Sequence, residues 1–194
     1  MLPAQVEAHA ASLRDPESFW LPLAHKLIHW VKPPSRALSV NGRKWAWFPD
    51  GTLNTCFNCV DRHPPSRIAI QYESPVTNTR ETITYRQLQT RVETIAAALK
   101  HELNVKKGDT VIIYSKRLWQ IELILVPMIP EAVYGMLACA RIGAIHSVVF
   151  GGFASAELAK RIEDSKAKVV LTASCGIEPK GVIPYKRISR SGND

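Results

Sequence analysis

The run from Pro127 to Phe153, PMIPEAVYGMLACARIGAIHSVVFGGF, constrains this chain more than any other. Pro130 stands where a helix can begin, because the first helical N–H has no partner to lose. Glu131 follows in the first turn, where a carboxylate suits the helix dipole. Val133, Met136, Leu137 and Ala140 recur at helical spacing with little polar sequence between them, which predicts a helix largely buried in a core. Gly143 supplies a left-handed stop. Ile145–Phe150 is short, apolar and β-branched, the pattern of a buried strand. Gly151 and Gly152 follow at once, and such a pair lets the backbone approach a ligand or a helix closely.

The alternation extends both ways. Thr84 caps a helix carrying Tyr85, Leu88, Val92, Ile95, Ala96 and Leu99. Gly108-Asp109 turns the chain into a strand at Thr110–Tyr114. Downstream, Ser155 opens a helix to about Asp164 with Leu158, Ala159 and Ile162 on one face. Lys168–Thr172 is a further buried strand. Strands alternating with helices at this spacing predict an α/β fold, a partial parallel sheet built of right-handed βαβ units. Ligands of such sheets bind outside the carboxyl ends of the strands. The Gly151-Gly152 turn is expected at such an end.

Residues 1–66 differ in kind and form an irregular, helical, aromatic-rich N-terminal segment. Asp15-Pro16-Glu17 starts a helix bearing Phe19, Trp20, Leu23 and Leu27. Trp30, Trp45, Trp47 and Phe48 follow among prolines. The phrase GTLNTCFNCVDRH (Gly51–His63) reads as a short helix bearing structural polar residues. Arg67–Glu73 opens the α/β part, with Ile68, Ile70 and Tyr72 alternating against Ala69 and Gln71.

Charge and cysteines narrow the function classes. The net charge is +8, but the basic residues are scattered and no basic run is interleaved with aromatics; nucleic acid is not the expected partner. The best apolar run, Ile121–Ile129, is too short to span a bilayer, so a membrane is not expected as a partner either. The start lacks the layout of a secretory signal, which makes the cytoplasm the default location without excluding mitochondria. Cys56 and Cys59 have metal-like spacing, but no second pair completes a ligand set. Cys56, Cys59, Cys139 and Cys175 are therefore expected to be buried or half-buried free thiols, with no metal site.

Four blocks of sequence are similar to those of the short-chain acyl-CoA synthetases, the acetyl-CoA/propionyl-CoA synthetase branch of the AMP-forming adenylating enzymes. They are DPESFW with HWVKPPSRAL, then GTLNTCFNCVDRH, then ITYRQLQTRVETIAAALK with VKKGDTVIIY, and finally PMIPEAVYGMLACARIGAIHSVVFGGFASAELAKRIEDSKAKVVLTA. GIEPKGVIPYK is closer to the propionyl-preferring members. The resemblance divides the chain into an acetyl-CoA synthetase-type N-terminal segment (1–66), the beginning of an adenylation domain (67–187) and a divergent tail (188–194). It implies a ligase that joins a short-chain carboxylate to CoA. ATP and Mg²⁺ drive an acyl-adenylate intermediate, which the CoA thiol then attacks.

The resemblance also implies a partial CoA site. Phe150, Gly151 and Gly152 would lie against the pantetheine arm. Glu178, Pro179, Lys180 and Gly181 would lie near the phosphates of the nucleotide. Only Lys180 is cationic there, and a lysine neutralises phosphate as a point charge without a bidentate fork. The family's phosphate loop, adenine and magnesium motif, ribose-binding aspartate and catalytic lysine have no match, so no catalytic residue is assigned. This makes the chain an N-terminal fragment, expected to be inactive alone. An alternative is a non-catalytic module that binds CoA or pairs with a full-length subunit; an independent structural or nucleic-acid-binding role is a third reading.

Two features depart from the family. Residues 115–126, SKRLWQIELILV, interrupt a strand-to-helix loop where two to six residues are usual, and most of them are apolar. After PYK the chain reads RISRSGND where the family continues into a helix. Both are expected to be products of splicing or gene modelling.

Overall fold

A computed structural model describes residues 3–116, 129–151, 155–172, 175–178 and 181–184. The chain forms two compact units, Met1–Asn58 and Cys59–Asp194.

The first unit begins with α1 (Pro3–Arg14), a helix that the sequence reading did not anticipate, and α2 (Pro16–Leu27). Asp15 caps α2, its carboxylate accepting from the Ser18 N–H at 3.1 Å. The Asp15-Pro16-Glu17 start is thus confirmed. Strands β1 (Leu38–Asn41) and β2 (Lys44–Trp47) form an antiparallel ribbon, also unanticipated. Gly42 sits at its turn with φ +60, the conformation a type II′ turn reserves for glycine. The carboxylate of Glu17 accepts from the N–H groups of Ala37 and Leu38 at 2.8 and 3.2 Å and so ties α2 to the ribbon's start.

GTLNTCFNCVDRH works as structural polar sequence, as expected. The Asn54 side chain accepts from the Phe57 N–H at 3.0 Å and opens the π-helical turn Phe57–Asp61. Asn58 bonds both peptide groups of His29, accepting its N–H at 2.8 Å and donating to its carbonyl at 2.9 Å. Gly51 is required for space: a Cβ there would lie 2.8 Å from the Trp30 ring.

In the second unit, β3 (Ile68–Ser74) and β4 (Thr79–Thr84) pair antiparallel. A bulge between Ile68 and Ile70 breaks the simple alternation: Ile68 is exposed, while Ile70 and Tyr72 are half-buried. Helix α3 (Tyr85–Ala97) opens with a capping box between Thr84 and Gln87, and buries Leu88, Val92 and Ala96 on the anticipated stripe. A π-helical turn, Ala98–Glu102, continues that stripe through Leu99.

Strands β5 (Thr110–Lys116), β6 (Ile145–Gly151) and β7 (Val169–Thr172) make the parallel sheet, in the order β6-β5-β7. Helices α4 (Pro130–Ile142) and α5 (Ser155–Ser165) are its crossovers. The first crossover runs from β5 to β6; the second runs back across β5 to β7. Opposite directions of travel send right-handed crossovers to opposite faces. The packing agrees. Gly135 of α4 faces Ile113 and Leu171, whereas Leu158 and Ile162 of α5 pack with Ile112, Tyr114 and Val149. Last come β8 (Cys175–Glu178) and β9 (Gly181–Pro184), an antiparallel pair absent from the sequence reading.

Three expectations need correction. First, the buried positions of α4 are Pro130, Tyr134, Gly135, Ala138 and Cys139; Val133, Met136, Leu137 and Ala140 are only half-buried. Close approach of helix to sheet selects small residues at the contact and leaves bulkier ones on the flanks. Second, β6 and β7 are not buried as whole strands. β5 lies between them and buries Val111 through Tyr114, but Ile145, Val148 and Val170 on the outer strands are 56, 55 and 38% exposed. Third, Cys59 is exposed, whereas Cys56 and Cys139 are buried free thiols. Of the 115–126 departure, Ser115 and Lys116 simply extend β5; residues 117–126 and the divergent tail lie outside the described residues.

Candidate functional site at the carboxyl end of the sheet

Adjacent strands β5 and β6 send their following helices to opposite faces of the sheet. In an open parallel sheet, that reversal leaves a crevice outside the two carboxyl ends, where ligands of such sheets bind. Here the ends are in register: Ser115 pairs with Phe150, and Lys116 with Gly151. Two of the expected contact residues, Phe150 and Gly151, are thus the last two of β6 and stand at this position. Gly152 lies outside the described residues. Glu178 closes β8 and Gly181 opens β9, and the two are partners across the pair. Pro179 and Lys180 between them lie outside the described residues. The two groups of expected site residues therefore sit on separate sheets.

Beside the crevice, on the α4 face, is a cavity of about 290 Å³. Ile113, Tyr114, Leu171 and Thr172 line it from β5 and β7, and Ile129, Glu131 and Gly135 from the start of α4. Gly135 keeps its wall open, since a Cβ there would reach within 3.3 Å of Ile113 and 3.4 Å of Leu171. The sequence reading missed this cavity. Its one legible trace was a glycine inside a helix that faces a strand.

At the far end of α4, where it turns into the start of β6, the polar residues of VDRH hold the scaffold together. Arg141, in the last turn of α4, donates to both oxygens of Asp61 at 2.8 and 2.7 Å and to Glu93 of α3 at 2.7 Å. Gln89 donates to Asp61 and Glu93 at 3.3 and 3.0 Å. His63 stacks on Tyr85, ring centroids 4.5 Å apart. Asp61 thereby fixes α4 against α3, and α4 leads through Gly143 into β6. Among the described residues, no cluster of three His, Cys, Asp or Glu could hold a metal.

Comparison with known proteins gives this architecture a family. The model of the AMP-binding enzyme family matches residues 56–190, and that of the acetyl-coenzyme A synthetase N-terminus matches residues 6–59. The Bos taurus protein named acyl-CoA synthetase short-chain family member 3, mitochondrial, is 50% identical over 182 residues, covering 91% of this chain and 24% of its own. Acetyl-coenzyme A synthetase of a Bradyrhizobium species is 44% identical over 187 residues, 93% of this chain and 27% of its own. The chain thus spans about a quarter of the length of these curated relatives. Among solved structures, acetoacetyl-CoA synthetase from Streptomyces lividans superposes on 95% of this chain and 27% of its own, with a TM-score of 0.80 at 22% identity, a likeness of fold. The chain belongs to the AMP-binding enzyme family, in its short-chain acyl-CoA synthetase branch.

Proposed function

We propose that this chain carries the CoA-facing part of an AMP-forming short-chain acyl-CoA synthetase. The parent reaction joins ATP, acetate or propionate, and CoA into acyl-CoA, AMP and diphosphate by way of an acyl-adenylate. The reading is carried by the position of Phe150 and Gly151 at the carboxyl end of β6, on the crevice where successive crossovers leave on opposite faces of the sheet. A glycine there lets a thin pantetheine-like arm pass close to the backbone. Gly152 and the Glu178–Gly181 segment complete the half-site, with Lys180 as its point charge for phosphate. CoA, ATP and Mg²⁺ are the small-molecule partners of the whole reaction.

The acyl-adenylate step needs groups that cradle triphosphate and stabilise charge in transfer. No motif for them occurs in this sequence, so the chain by itself binds CoA without making acyl-CoA. It acts in the cytoplasm or, like the bovine relative by its name, in mitochondria.

Two assays test this. Diphosphate release from ATP with acetate or propionate should stay at background for the isolated chain; clear turnover would sink the half-site reading. CoA should bind, and Lys180→Ala should weaken that binding several-fold while leaving dephospho-CoA fragments without the 3′-phosphate less affected. CoA affinity unchanged by Lys180→Ala would remove Lys180 from the site.

A further inference from the structure

We propose that the β1–β2 ribbon is a peripheral docking element for an anionic lipid surface. The register pairs Val40 with Trp45 and Leu38 with Trp47, so the four share one face of the ribbon. That face is open: Val40, Trp45 and Trp47 are 52, 68 and 52% exposed. Every residue of β2 is exposed. The rings are nonetheless held in order. Trp47 meets Trp20 edge-on with centroids 6.1 Å apart and Phe48 at 6.0 Å, and Phe48 meets Trp30 at 5.5 Å.

Charge selects the partner. Arg43 and Lys44 stand at the ribbon's tip, Arg36 precedes β1, and no acidic residue occurs from Arg36 to Pro49. An ordered tryptophan face next to a cationic tip matches the boundary layer of a bilayer. Indole rings settle there with one edge apolar and one wet, and anionic headgroups meet the cations. Toward the tip both faces of the ribbon are open, since Val40, Asn41 and every residue of β2 are exposed. A headgroup layer wets both at once, whereas a flat acidic protein surface would cover one. The expectation that no membrane is involved rested on the lack of a spanning run, and contact of this kind needs none.

The whole chain is mixed with vesicles of pure phosphatidylcholine, or of phosphatidylcholine with phosphatidylserine, and followed by co-sedimentation and tryptophan emission. Expected are binding to the anionic vesicles only, a blue-shifted emission and release at high salt. Arg43→Gln with Lys44→Gln, two exposed positions, should lower partitioning about 30-fold, at roughly fivefold per cation. Trp45→Ser with Trp47→Ser should abolish the blue shift, and circular dichroism checks that this variant keeps its fold. Absence of binding, equal binding to neutral vesicles, or binding untouched by the charge variant would each overturn the proposal. So would capture by an acidic polypeptide such as polyglutamate without any vesicle binding.

Discussion

Replacing Arg141 by alanine should cost this chain more stability than any other single surface-to-core charge change described above. The size follows from geometry. Arg141 is 24% exposed and Asp61 13%, and their contact is bidentate. Breaking a fully buried pair costs about 3–5 kcal/mol, and an exposed one about 0.2–1 kcal/mol. This pair lies between, at about 2 kcal/mol. Removing the arginine also leaves Asp61 and Glu93 facing each other, held only by Gln89, so Arg141→Ala should exceed Asp61→Ala. Glu93 is 48% exposed, and its coupling to Arg141 should stay below about 1 kcal/mol. Urea unfolding of the wild type, single and double variants gives both couplings from double-mutant cycles. For a chain of this size, about 2 kcal/mol corresponds to a fall of about 4–8 °C in Tm. An Asp61–Arg141 coupling under about 0.5 kcal/mol, or one smaller than the Glu93–Arg141 coupling, would refute the view that this pair braces α4 against α3.

Other outcomes follow from single residues. Gly143 adopts φ +74 and its missing Cβ would lie 3.0 Å from Lys107 Cγ, so Gly143→Ala should destabilise by about 1 kcal/mol or more in chemical denaturation. Of Cys56, Cys59 and Cys139, only Cys59 should react with iodoacetamide at pH 8 in the native state; burial pushes the Cys139 thiol up to about 11, and peptide mass mapping reads the result. The Asp109 carboxyl is lowered first by the Lys106 N–H it accepts, then by Lys168. A lowered folded pKa contributes stability that is complete above the unfolded value, about 3.9, and is lost as pH falls below it. Asp109→Asn should therefore lower the urea midpoint at pH 7, and the difference should vanish near pH 2.

The sheet was legible because its elements carry strong local signals. Pro130 and Gly143 bound α4, Thr84 and Gln87 open α3, and β5 is a run of β-branched residues. What periodicity misses is which side of an apolar helix meets the sheet. In α4 the large residues formed the clearer stripe, but contact distance favoured Gly135, Ala138 and Cys139. The exposure of Ile145 and Val148 was equally hidden, because it depends on strand order rather than on the composition of β6. The β1–β2 ribbon and the β8–β9 pair were missed for a different reason: each strand has only four residues, too few for alternation to stand out. As for the site, the glycines after a strand directed attention to the carboxyl end of β6, where Gly151 is the last strand residue. Apart from the lone glycine inside α4, the sequence carried no sign of the neighbouring cavity, since Ile113, Leu171 and Gly135 come together only through the crossovers.

The most direct test of the central claim is a titration of the isotope-labelled chain with CoA, followed through its backbone amide resonances. Saturable shifts are expected to concentrate at Ser115, Lys116, Phe150 and Gly151, where β5 and β6 end together. Saturable shifts confined to other parts of the chain, or no shifts at millimolar CoA, would contradict it.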